Sequence, residues 1–236
     1  MTPIIILTIV CILTYSFEIV FGLAGTIMML FVMTAWFDAK TLVIYSLMPQ
    51  ILVATIGLLR SPRTVRLDVL AGMVGFASLG GLLGLVLFYR IPTELFQKLL
   101  ATAIILFGLH MVVGRNRLRL GPFGARVMDT VAGLSQTLFG ISGPIAMTRM
   151  MASFEGKVVI RNYALAFFLA MNSFRLGGYL VNGTISNEVA WMMLVSAPVL
   201  AVALWWANHL HFRINERVFS SVVAWIILLG GITLYF

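Results

Sequence analysis

The sequence predicts an all-α polytopic membrane protein. It reads as an internal duplication of two four-segment halves, arranged as inverted repeats with glycine-broken discontinuous or re-entrant helices. Three observations predict this. The composition leaves no water-facing surface, the apolar residues fall into eight long segments, and a glycine-broken motif occurs twice at matching places.

Of 236 residues, 61% are hydrophobic and 10% charged, with a mean hydropathy of +1.05. A soluble domain carries about 25% charged residues, so this chain belongs in a bilayer. Its apolar segments run 3–36, 41–59, 67–89, 95–114, 127–152, 162–181, 188–207 and 218–236. A crossing needs about 20 apolar residues at ~1.5 Å each; most segments fit, and the first is too long for one simple span. A membrane barrel would instead alternate polarity in stretches of about ten residues. The first cation is Lys40, so no cleaved signal peptide is expected. Cys11 is the only cysteine, which excludes an internal disulfide. The net charge of +8 sits in short loops between segments, a pattern of membrane orientation and not of nucleic-acid binding. The longest polar linker, "GRNRLRLGPFGAR" (114–126), is only a connector. The expected organisation is one membrane domain, 1–236, with repeat one at 1–114, a cytoplasmic connector at 115–126 and repeat two at 127–236.

The duplication rests on three places. "FGLAGTIMM" (21–29) and "FGISGPIAM" (139–147) share Phe, both Gly, Ile and the final Met. "FDAK" (37–40) pairs with "FEGK" (154–157), and "RIPTELF" (90–96) with "RINERVF" (213–219), while Gly108 falls opposite Gly231. Offsets of 117 to 123 at all these places make coincidence improbable. Four segments per half is a known transporter architecture, although a two-fold scaffold would show the same repeat.

Loop charges set the orientation. If every segment crosses, Arg60, Arg63, Arg66, Arg115, Arg117, Arg119 and Arg126 face seven cations on the other side. If segment 127–152 dips in and returns, Lys157, Arg161, Arg213 and Arg217 join the first group, and the count becomes eleven against three. The positive-inside rule prefers the second arrangement. It also inverts one half relative to the other.

Glycine suits a backbone that leaves the helix or meets another element closely, and Pro144 favours a new helix starting at its first turn. "GISGP" therefore predicts helix, short break, new helix. Backbone released there must face protein or a watery cavity. The half-helix starts at Thr26 and Pro144 would then aim N–H groups and positive dipole ends at an anion near the midplane. The other reading is close helix packing through small residues.

Polar residues at membrane depth are site candidates. Arg175, with Asn172 on the same face, offers a planar fork suited to carboxylate, sulfonate or phosphate oxygens; a structural or snorkelling arginine is the alternative. Arg149, nearer a segment end, is expected to snorkel. Glu18 precedes the first break by one turn and its counterpart is the neutral Gln136; it either pairs with an arginine or carries a proton. Gln50 follows Pro49, marking a kink or a site contact. Thr26 and Ser142 either donate to an anion or satisfy local backbone. The expected substrate-binding set is Arg175, Asn172, Gly22, Gly25, Thr26, Gln50, Gln136, Gly140, Ser142 and Gly143, with Glu18 for proton coupling.

Enzyme chemistry finds no support. "GISG" resembles the short motif of intramembrane serine proteases, but His110, His209 and His211 all lie at or beyond segment ends, out of reach as a base for Ser142. "HLH" lacks the further ligands of a metal site, and no phosphate-binding loop is present. Neither cofactor nor metal is expected.

On these residues the chain resembles the TauE/SafE family of membrane permeases, or sulfite exporters. Besides both breaks, the likeness rests on "RTVRLD" (63–68), "GFASLGGLLG" (75–84), "GLSQTLFGISGP" (133–144) and "FRINERVFSSVVAWIILLGGI" (212–232). It covers nearly the whole chain, although the first break lacks a proline. The resemblance implies a non-enzymatic transporter of sulfite, organosulfonates or related organic acids in the bacterial inner membrane. The expected partners are the small anion, the bilayer and, for a chain this small, a homodimer. An uncoupled anion channel or a membrane scaffold is the alternative.

Overall fold

The computed structural model describes residues 2–21, 24–113 and 120–209, with 225, 228 and 230–232 of the last apolar segment. Every element among the described residues is an α-helix. The long first segment resolves into α1 (Thr2–Phe21) and α2 (Gly25–Met33). Ala24 between them sits at φ 81°, a left-handed conformation that costs a residue with a Cβ about 1–2 kcal/mol. The chain doubles back here. Thr26 N–H donates to Glu18 Oε2 at 3.0 Å, whereas a straight helix would separate residues 18 and 26 by about 12 Å. Gly25 makes the return feasible, because a Cβ there would sit 2.7 Å from the Thr14 carbonyl oxygen.

The second segment forms α3 (Ala39–Tyr45) and α4 (Leu47–Leu59), joined at Ser46. Pro49, the third residue of α4, has no N–H to return to the preceding turn, so the helix breaks just before it. Then follow α5 (Leu67–Arg90), α6 (Thr93–Val113), α7 (Pro122–Phe139), α8 (Gly143–Ser153), α9 (Lys157–Val181) and α10 (Asn187–Ala207). Helices α7 and α9 start about five residues before their apolar segments. These added residues include Arg126, Lys157 and Arg161, which hydropathy alone excludes.

A second doubling-back joins α7 to α8. Arg149 on α8 pairs with Asp129 on α7 (Nε–Oδ1 3.0 Å) and donates to the Ala125 carbonyl at 3.3 Å. Near the tip, Ser142 Oγ donates to Gln136 Oε1 at 2.7 Å, and the Ser135 hydroxyl donates to the Ile141 carbonyl. These pairs make α8 run back beside α7.

Two ends of the molecule are tied separately. At one, Asn162 Nδ2 on α9 donates to the Pro62 carbonyl and Thr64 Oγ1, both at 2.9 Å. Arg161 there reaches the Ile19 carbonyl (3.0 Å), Asn208 Oδ1 (3.1 Å) and Ser61 Oγ (3.3 Å). Loop 60–66 and the starts of α5 and α9 thus share that end with the end of α10. At the other, Lys40 Nζ donates to the Phe88 and Ile91 carbonyls (2.9 and 2.6 Å) at the end of α5.

Four described helices are long and apolar enough to cross a membrane: Ala39–Leu59 taken through Ser46, Leu67–Arg90, Lys157–Val181 and Asn187–Ala207. The chain is therefore a multi-pass helical membrane protein. In such a setting lipid offers no hydrophobic drive for helix association, and small residues permit close packing. Helices α5 and α7 use this fully: a Cβ on Gly80 would lie 1.9 Å from the Thr130 carbonyl oxygen, and one on Gly133 1.9 Å from that of Ala77. Gly75, on the same glycine-rich helix, has nothing within 4 Å of its Cβ position. Gly133→Ala should therefore lower the thermal midpoint in detergent by about 5–10 °C, and Gly75→Ala should not. Equal midpoints would contradict the close seam.

Candidate functional site

The two folded-back pairs meet around a cavity of about 30 Å³ with a wall part polar and part apolar. A water needs about 10–15 Å³, so the room suits a few small polar atoms. From the first pair come Glu18, Ala24, Thr26 and Ile27; from the second, Gln136, Gly140, Ile141, Ser142, Gly143 and Pro144; Gln50 and Phe168 complete the wall.

A chain of side-chain hydrogen bonds fixes the wall. Gln136 Nε2 donates to Gln50 Oε1 at 2.7 Å and to Asn172 Oδ1 at 2.9 Å. Gln50 Nε2 reaches Thr26 Oγ1 (3.0 Å), the Gly140 carbonyl (2.9 Å) and Ser46 Oγ (3.2 Å). The Tyr15 hydroxyl lies 3.1 Å from Thr26 Oγ1. Ser142 Oγ already serves Gln136. Any ligand must therefore share these groups or displace their bonds.

The two half-helix starts differ. At α2 the Thr26 N–H is occupied by the Glu18 carboxylate, so the chain supplies its own anion there. The start of α8 has no side-chain cap and opens onto the cavity through Ser142, Gly143 and Pro144. Gly140, which ends α7 at φ 70°, is the position where glycine is required twice over. It is left-handed, and a Cβ would approach Arg175 Nη1 to 2.6 Å.

Of the residues singled out by sequence, Glu18, Thr26, Gln50, Gln136, Gly140, Ser142 and Gly143 line the cavity. Gly25 packs inside the first hairpin against Thr14 and Glu18. Gly22 lies outside the described residues. Arg175 and Asn172 are fully buried and stand one layer behind the wall. Arg175 Nη1 donates to the Gln136 carbonyl (3.0 Å), and Nη2 to the Val43 carbonyl (3.2 Å) and Ser46 Oγ (3.1 Å). Its Nε and Asn172 Nδ2 have no hydrogen-bond partner, and no acid lies within ion-pair distance among the described residues. Arg175 is thus a fixed positive charge that also bonds the Gln136 carbonyl, which accepts the Gly140 N–H as well, and the Val43 carbonyl near the α3–α4 joint.

Arg149 departs from expectation. It does not snorkel: it is buried and paired with Asp129. Asp129 escapes sequence reading because it lies twenty residues away, yet reflection of the chain about Phe139 places 129 opposite 149. Gln136 and Ser142 pair by the same reflection. Tyr15 and Ser46 carry no comparable signal; both look like ordinary small-polar or aromatic residues of an apolar helix. Among the described residues no group of three or more His, Cys, Asp or Glu side chains could hold a metal.

A multi-pass helical protein whose interrupted helices turn back around a cavity lined by both polar and apolar groups has the build of a membrane transporter. The comparison with known families agrees: the chain belongs to the sulfite exporter TauE/SafE family, whose model matches residues 7–234. No curated protein and no solved structure matches it.

Removing one partner of a buried ion pair costs about 3–5 kcal/mol, while replacing both with apolar residues is often near neutral. Arg149→Ala should therefore destabilise the protein strongly, and Asp129→Leu combined with Arg149→Met should recover most of the loss in thermal unfolding. A double variant no more stable than the single one would contradict a hairpin held by this pair.

Proposed function

We propose that the protein is a secondary transporter that exports small anions, such as sulfite, organosulfonates or related organic acids, across the bacterial inner membrane. The observation that carries this reading is the cavity between the two breaks. Its wall presents hydroxyl and amide groups and the uncapped start of α8, with the Arg175 charge directly behind. Those are groups that recognise an oxyanion, and a fixed cation also repels cations. The small volume favours a compact anion; a larger sulfonate needs the walls to part.

The inverted-repeat organisation belongs to the same proposal. No cation precedes Lys40, so a returning first segment leaves the eleven-to-three charge count unchanged. Loop 60–66 and the start of α9 share one end of the molecule, as that count requires. The first hairpin would then enter from one face and the second from the other. Alternating access would come from one repeat rocking against the other about the shared cavity.

The test is flux in proteoliposomes, with a panel of sulfite, short sulfonates and carboxylates against empty liposomes. Sulfite or a sulfonate should move, and Ser142→Ala should slow it about tenfold or more, the worth of one hydrogen bond to a charged group. Arg175→Ala, checked for folding by gel filtration, should abolish it. A panel in which no anion moves would overturn the reading, and unchanged flux in Arg175→Ala would remove that residue from the site.

A further inference from the structure

Glu18 stands apart from the rest of the cavity wall. The other polar side chains there, Thr26, Gln50, Gln136 and Ser142, cannot carry charge. Among the described residues no cation lies within 4.0 Å of its carboxylate; the ion pairs are Arg66–Asp68 and Arg149–Asp129. An ionisable group at membrane depth without a counter-ion is expensive, and function is its usual reason. Its repeat counterpart, Gln136, has the same length and shape but no proton to gain or lose.

The surroundings do not supply a substitute. Helices α2 and α4, packed against this part of α1, have no titratable side chain. On α1 itself Tyr15 bonds Thr26, and Cys11 is buried a turn further back. On α3, the Tyr45 hydroxyl is paired with Ser196 at 2.7 Å, and Lys40 is held at the end of α5. On α9, Arg161 is spent on the Ile19 carbonyl and its neighbours, and Arg175 on the Gln136 and Val43 carbonyls. Asp129 and Arg149 pair with each other across α7 and α8, and the one titratable group of α10, Glu188, is in its first turn.

We propose that Glu18 is the proton-binding site of the transporter, and that its proton and the anion occupy the cavity together. This inference rests on the anion-transport reading above. An ionised carboxylate in the wall repels an incoming anion; a proton taken from water on the open side neutralises it. The neutral acid also accepts more weakly from Thr26 N–H, which frees a donor at the start of α2 for the anion. Such coupling is reciprocal: the anion raises the carboxylate's hold on its proton by the factor that the proton raises anion affinity. Anion and proton therefore cross in the same direction, and export runs on the anion's own accumulation.

The experiment is flux of a short alkanesulfonate, an anion with no proton of its own to lose near neutral pH, in proteoliposomes with an imposed pH gradient and an internal pH dye. For one proton per anion, wild type should accumulate the sulfonate up to about tenfold per unit of inside-alkaline gradient, with acidification of the lumen beyond that of empty liposomes. Glu18→Gln, which keeps an acceptor for Thr26 N–H, should show no gradient-driven accumulation at whatever rate it moves the sulfonate. If it moves none, Glu18→Asp must restore gradient-driven accumulation, and its failure to do so overturns the proposal. Wild-type flux indifferent to the gradient, or Glu18→Gln accumulating like wild type, overturns the proposal while leaving anion transport standing. Wild type without any anion flux overturns the transport reading itself, and this inference with it.

Discussion

The hydrogen bond from Gln136 to Gln50, 2.7 Å long, is the contact on which the interior depends. Through Gln50 it reaches Thr26 at the first break and the Gly140 carbonyl at the second. Through Gln136 it reaches Ser142 and Asn172. Two amides thus join α2, α4, α7, the start of α8 and α9. An amide suits the task because it donates and accepts without bringing a charge. The need is acute: each broken helix releases backbone groups that would cost several kcal/mol if left unpaired in hydrocarbon.

Charge enters the interior only under control. Among the described residues Arg175 has no acid within ion-pair distance, yet its fork serves three oxygens at once, which holds the α7 end and the α3–α4 joint at a fixed separation. Arg149 and Asp129 neutralise each other across the second hairpin, away from the cavity wall. Among the described residues, Glu18 alone presents a titratable group to the cavity. The two half-helix starts are consequently unequal: one is closed by the chain's own carboxylate, the other is open.

Much of this was legible in the sequence, for identifiable reasons. A break in an apolar helix needs residues with unusual backbone freedom, so Gly140 and Pro144 advertise the second one directly. The returning course of 127–152 is legible in the placement of Lys157 and Arg161, because cations resist crossing. The first break was harder: the left-handed residue described there is Ala24, and nothing about alanine signals a positive φ. The starts of α7 and α9 lie outside the apolar segments because Arg126 interrupts the apolar run in one and Lys157 and Arg161 in the other. The role of Arg175 was half legible. Its depth marked it as functional, but only packing reveals that Gln136 and Gly140 stand between it and the cavity. Asp129 became visible only once the hairpin brought it opposite Arg149.

The central claim is that the two hairpins enter from opposite faces and meet at one cavity. Side-specific labelling tests it most directly, with Cys11 replaced by Ala and single cysteines placed at the exposed positions Trp36, Arg63 and Glu155. With an impermeant maleimide, Arg63→Cys and Glu155→Cys should label from the same face and Trp36→Cys from the opposite one. Labelling of Trp36→Cys and Glu155→Cys from a common face, or of Arg63→Cys and Glu155→Cys from opposite faces, would contradict the account.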